Sequence, residues 1–201
     1  YLDKKFEEAE ELADSFTSDI KTKTAAGIFD QYVEQCYLDN FLRGGYPYVL
    51  NKDGNKSVIH LFSRKHGDPE RDYNFFSIAA EYYSQGNGNF RDVSQNRRND
   101  VFFKKDVGDF NVKTFFSLIQ ADGYNPLEVR PSLFNVIEGK EDEVKAYVAD
   151  SISGDATAIQ NIVAGKFTPG QISNTIAKLQ LELKVDDGDF IANILNDCDQ
   201  N

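Results

Sequence analysis

Ala25-Ala-Gly-Ile-Phe-Asp-Gln-Tyr-Val-Glu-Gln-Cys-Tyr-Leu-Asp-Asn-Phe-Leu42 decides the fold class. Ile28, Phe29, Tyr32, Val33, Cys36, Tyr37 and Phe41 recur at three- and four-residue spacing, which puts them on one side of a helix. Gly44-Gly45 and Pro47 stop it. Upstream, Lys4 to Asp14 reads as an exposed helix with Leu2, Phe6, Ala9 and Leu12 or Ala13 as its apolar stripe. Downstream, Tyr48–Leu50 and Val58–Phe62 flank Asn51-Lys-Asp-Gly-Asn55, the turn chemistry of a β-hairpin. Asp68-Pro69 then predicts a helix through about Ser84: Asp caps, Pro takes the first helical position, and Glu70 and Asp72 favour the positive end of the dipole. Gly86-Asn-Gly88-Asn89 breaks that helix, and Val112–Ala121 starts another that ends at Gly123. The tail predicts helices near 140–150, 155–164, 169–184 and 188–197, with Thr168-Pro-Gly-Gln171 as a capped start. The expected fold is mainly α with one small β-hairpin.

Charge divides the chain. Residues 1–30 hold 8 acids and 4 bases, 31–136 hold 13 of each, and 137–201 hold 12 acids and 5 bases. Two regions are expected: 1–136, helical with the hairpin and a polar Gly-Asn/Arg-Asp motif, and 137–201, an acidic helical tail that forms a small subdomain. The 201 residues carry a formal charge of −11, so the basic footprint of a nucleic-acid partner is missing. No apolar run approaches the roughly 20 residues needed to cross a bilayer, so no membrane partner is expected. With 40% hydrophobic and 13% aromatic residues, the chain is too apolar to be disordered. It lacks Met and starts at Tyr1, which suggests a piece of a longer protein. Cys36 and Cys198 lie far apart without CxxC spacing, and a reducing, cytoplasmic setting is expected.

All seven arginines and both histidines fall between residues 31 and 136. Arg suits fixed, planar recognition of oxyanions and carboxylates, so the middle of the chain is where binding is expected. The densest polar stretch runs from Tyr82 to Asp100. Its Gly86-Asn-Gly-Asn89 core permits positive φ and exposes backbone amides. Arg91, Asp92, Gln95, Asn96, Arg97 and Arg98 follow within eight residues. On a helix, Arg91, Gln95 and Arg98 share one face, and Asp92 and Asn96 the neighbouring one. Such a cluster serves either as a capped, salt-bridged helix start or as bidentate recognition of a hydroxyl-rich ligand.

Phe90-Arg-Asp-Val-Ser-Gln-Asn96 resembles the Phe-Arg-Asp-x-x-Gln-Asp segment of the cellobiose and chitobiose phosphorylases and cyclic β-glucan synthases. Ser63-Arg-Lys-His-Gly-Asp-Pro-Glu-Arg-Asp-Tyr-Asn-Phe75, Ser84–Arg98 and Phe115–Pro126 extend the similarity to large bacterial cellobiose-phosphorylase-like proteins, over about 30–136. The resemblance implies a piece of an (α/α)6 toroid in a parent enzyme that attacks β-linked glucose-type oligosaccharides with inorganic phosphate as co-substrate and no other cofactor. One carboxylic acid then protonates the leaving oxygen. It also implies that Arg91 faces the ligand, that Asp92 orients Arg91, and that Gln95 and Asn96 bond sugar hydroxyls, with Arg97 and Arg98 beside them. Asn96 stands where the family has Asp, which keeps hydrogen-bonding capacity and loses the charge. The family's catalytic acid lies in a downstream aromatic Asp segment that this chain lacks, so the catalytic residue is unassigned and the piece alone is expected to be inactive. Its partners are then the oligosaccharide and the remainder of its own polypeptide.

Other chemistries have less support. His60 and His66 lack ligand partners at helical spacing, so a capping loop is expected there rather than zinc. Gly86-x-Gly88 lacks a third Gly and a P-loop sequel. Asp186-Asp-Gly-Asp189 lacks the twelve-residue calcium pattern and reads as a helix N-cap. The competing function is a non-catalytic helical protein-interaction module whose Arg cluster is structural.

Overall fold

Helix α1 (Leu2–Thr17) and helix α2 (Gly27–Gly44) open the chain. The computed structural model describes residues 1–52, 55–61 and 81–201. Strands β1 (Tyr46–Lys52) and β2 (Asn55–Leu61) pair antiparallel from Tyr46↔Leu61 to Lys52↔Asn55, which is the expected hairpin. Its turn residues Asp53 and Gly54 lie outside the described residues, as do His66 and most of the helix expected from Asp68. The end of that helix is corrected: residues 81–84 form a turn, and the backbone then extends so that Gln85 bridges Leu61.

After the break come β3 (Gly88–Asn89), α3 (Phe90–Arg97), α4 (Asp100–Phe103) and α5 (Phe110–Ser117). Helix α5 stops short of Ala121 because the Gln120 amide donates to the Tyr124 carbonyl at 2.9 Å, closing a turn around Gly123 at φ +86°. Strands β4 (Glu128–Val129) and β5 (Phe134–Val136) lead into the tail. There α6 (Glu141–Ser151), β6 (Ile152–Ser153), α7 (Thr157–Val163), α8 (Pro169–Leu179), β7 (Glu182–Leu183), α9 (Asp187–Asn196) and β8 (Cys198–Gln200) follow closely. Both predicted caps form: Thr168 and Gln171 make a reciprocal capping box, and the Asp186 carboxylate accepts from the Gly188 amide. Helix α8 ends at Leu179 rather than near residue 184, because Gln180 turns left-handed and frees Glu182–Leu183 to pair with β6.

The described residues are mainly helical, but the β content is wider than one hairpin. Strands β3–β4, β5–β8 and β6–β7 also pair antiparallel. Two- and three-residue strands carry no readable alternation, so sequence periodicity passes over them. Helical spacing left open what covers the apolar stripes. Of the α2 stripe Tyr37 is buried, whereas Ile28, Phe29 and Tyr32 stay exposed; α1 is exposed as expected, its Leu2, Phe6 and Leu12 included.

The core lies elsewhere. Phe134, Val144, Val148, Ile159, Phe167, Ile172, Phe190, Ile191 and Ile194 bury together in the tail, and Leu50, Ile59 and Leu61 from the hairpin join the same cluster. Helix α9 packs on both hairpin strands. Each large aliphatic or aromatic side chain so buried contributes about 1.5–3 kcal/mol. The hairpin therefore belongs to the core of the tail, across the boundary that charge suggested at residue 136.

The N-terminus of α8 is pressed against the 81–85 segment. A Cβ on Gly170 would collide with the Tyr82 carbonyl oxygen. On helix propensity Gly170→Ala would gain about 1 kcal/mol. Because backbone must move instead, the expected result is a loss of about 1–3 kcal/mol in urea unfolding. A stabilised variant would contradict this packing.

Candidate functional site

Helix α3 sorts its polar residues by face. Arg91, Gln95 and Arg98 are exposed together, while Asp92 and Asn96 are half-buried. Arg91 Nε lies 3.2 Å from Asp92 Oδ1, and Asn89 Nδ2 donates to the other Asp92 oxygen at 3.4 Å. Arg97 turns the opposite way and is only 1% exposed. The six predicted residues therefore divide into an outward set and one buried arginine.

Arg97 enters a polar cluster where α3, α4, α5 and β2 meet the link between α2 and β1. Its Nη1 donates to the Gly45 carbonyl, between α2 and β1. Its Nε lies 3.5 Å from Asp100 Oδ2 on α4. Asn111 on α5 donates from Nδ2 to Asp100 Oδ2 at 2.8 Å and to the Arg97 carbonyl at 3.0 Å. His60 on β2 brings Nε2 to 3.7 Å from the same Asp100 oxygen. His60 thus sits in the strand expected from Val58 onward and not in a capping loop. Burial lowers the Arg97 pKa, and Asp100 opposes the shift; a guanidinium nevertheless keeps its charge. Burial also holds His60 below the ordinary 6.5, against the pull of Asp100, so its imidazole is neutral at pH 7. Arg97 Nε, His60 Nε2 and Asn111 Oδ1 are buried without a hydrogen-bond partner among the described residues.

His60 also lines a cavity of about 500 Å³, within the range of small-ligand sites. Its apolar lining includes Val93 from α3, Phe110, Phe115 and Leu118 in and just beyond α5, and Val129 and Pro131. Its polar lining includes side chains held in place by their neighbours. Gln85 donates to the Ser132 carbonyl at 3.4 Å and accepts from its amide at 3.0 Å. Gln200 donates to the Val58 carbonyl at 2.8 Å and to Ser132 Oγ at 2.9 Å. Glu128 accepts from Asn87 Nδ2 at 2.6 Å, with Arg130 Nε 3.4 Å from its second oxygen. Gly86 and Gly88 also line it, but as extended backbone without a positive φ, which corrects the predicted Gly-Asn turn; the left-handed residue is Tyr83, upstream. Arg91, Asp92, Gln95, Asn96, Arg97 and Arg98 do not line it. Sequence reading missed His60, Gln85, Glu128, Ser132 and Gln200, which lie far apart along the chain; the Arg97–Asp100 spacing was the one local sign of the cluster.

Among the described residues no group of His, Cys, Asp or Glu could hold a metal ion. No helix among them is long and apolar enough to cross a membrane. No family profile, curated protein or solved structure matches this chain.

A depressed histidine pKa has a defined sign. The unfolded chain takes up the His60 proton near pH 6.5 and the folded chain only at lower pH, so folding stability falls as pH drops below about 6.5. His60→Gln removes that contribution. Stability of wild type minus His60→Gln, from urea melts between about pH 7.5 and 5, is expected to decline with acidification. A difference independent of pH would show that His60 is not desolvated.

Proposed function

We propose that this chain binds a hydroxyl-rich ligand, a β-linked glucose-type oligosaccharide, in the cavity that the Gly86–Gly88 segment and residues 128–132 help to line. The observation that carries the reading is the mixed lining: hydrogen-bonding side chains already fixed by neighbours share one cavity with aromatic and aliphatic side chains. Sugars present that same duality, with hydroxyl edges and apolar faces. Groups held before binding lose little freedom when a ligand arrives. Glu128, with a donor at each oxygen, suits an acceptor for hydroxyls.

The motif from Phe90 to Asn96 supports placing the chain in an inverting phosphorylase-like parent of toroid type, with inorganic phosphate as co-substrate. On this reading the chain contributes sugar contacts and not the general acid. The outward Arg91, Gln95 and Arg98 face is a second place where the sugar could sit, with Asp92 steadying Arg91. The alternative, a non-catalytic helical interaction module, draws support from a different observation: the exposed apolar residues Leu2, Phe6, Ile28 and Phe29 on α1 and α2.

Calorimetry with cellobiose separates these. Thr114→Trp fills the cavity and is expected to weaken binding at least about tenfold, a loss of about 1.4 kcal/mol. Arg91→Lys keeps charge and removes the planar fork; it is expected to leave affinity unchanged. The reverse ranking would move the site to the outer face of α3. Absence of binding by the folded wild type would favour the interaction module. With phosphate added, no glucose 1-phosphate is expected; its release would contradict the missing general acid.

A further inference from the structure

A second cavity of about 300 Å³ adjoins the first, and Gln85, Arg130 and Pro131 belong to both. Its other walls come from Glu81, Tyr83, Leu133 and Thr168. The 81–85 segment lines the second cavity and, through Gln85, both, and it is held on two sides. Tyr83 holds φ at +50°, a conformation that costs a bulky residue energy and that clusters at ligand clamps. The strain is retained because the segment is fastened on both sides. The Tyr82 amide donates to Asn174 Oδ1 at 3.3 Å, Asn174 Nδ2 donates to Glu81 Oε2 at 3.3 Å, and Gln85 is bonded twice to Ser132. Gly170 on α8 provides the close approach that this fastening requires. The left-handed turn at Tyr83 sets its ring against Tyr48, at 5.6 Å between centroids, and brings it to the wall of the second cavity.

We propose that the two cavities are consecutive compartments of one binding groove that selects ligands by length, the second taking the sugar units beyond a disaccharide. The proposal rests on the reading that the first cavity binds sugar. Gln85 and Arg130 sit at the divide, where side chains from one position can reach units on either side. Tyr83 supplies a half-buried aromatic surface to the second compartment, and Glu81 and Thr168 supply polar atoms. A ligand confined to the first compartment gains nothing from these groups, so affinity should rise with chain length and then level off.

The test is calorimetric titration of the purified chain with β-1,4-linked glucose oligomers of two, three and four units. The expected result is tetramer affinity at least about tenfold above that of the dimer. Leu133→Trp fills the second compartment, and is expected to bring tetramer affinity down to the dimer value while leaving the dimer unaffected. Glu81→Ala, which also removes the Asn174 hydrogen bond, should lower tetramer affinity alone when compared at matched folded fraction. Equal affinity for dimer and tetramer in wild type would overturn the proposal and leave the first cavity as the sugar site. Equal losses for both ligands in the variants would also overturn it. Failure of every oligomer to bind would overturn both readings together.

Discussion

A buried ion pair holds this chain together where its elements converge. Arg97 and Asp100 sit one helical turn apart with almost no solvent contact, and desolvating two charges costs several kcal/mol each unless they find each other and further hydrogen bonds. The structure supplies these from separate segments: the Gly45 carbonyl for Arg97, and the Asn111 amide for Asp100. Because neither charge tolerates isolation, α2, α4 and α5 are bound to one arrangement. His60 extends the constraint into the hairpin, and its neutrality at pH 7 keeps the cluster balanced.

That junction links two kinds of structure. On one side α1 and α2 leave much apolar surface exposed and bury little. On the other, the tail holds a dense aliphatic and aromatic core. The hairpin spans both, since β2 presents His60 to the ion pair and Ile59 to the core. The cavity is lined by Val93 from α3 and Phe115 from α5 together with Gln85, Ser132 and Gln200. Its polar lining is fixed by hydrogen bonds across long sequence distances.

What the sequence made legible was local. The tail helices were readable because their starts are written in adjacent residues: Thr168 with Gln171, and Asp186 with Gly188. The hairpin followed from its turn. The stripes on α1 and α2 were readable as helix, but burial was not, because periodicity says which residues share a face and nothing about what covers it. The tiny strands escaped notice for lack of length. In the site, the Gly-Asn turn was misplaced, because the chain turns at Tyr82–Tyr83 and runs extended through Gly86–Asn89; the α3 faces were separated as spacing required, yet Arg97 went inward while Arg91 stayed out. Charge type could not distinguish them; only Asn111, His60 and the Gly45 carbonyl, none of them neighbours in sequence, decide which arginine is buried.

A double-mutant cycle on Arg97→Met and Asp100→Leu tests the central claim most directly. If the buried pair organises the junction, each single change leaves an uncompensated charge inside and costs about 3–5 kcal/mol in urea unfolding. The double variant removes both charges, so it should cost far less than the two singles together. Costs that add to within about 0.5 kcal/mol would mean that the two residues act independently, and the account of the junction would fail.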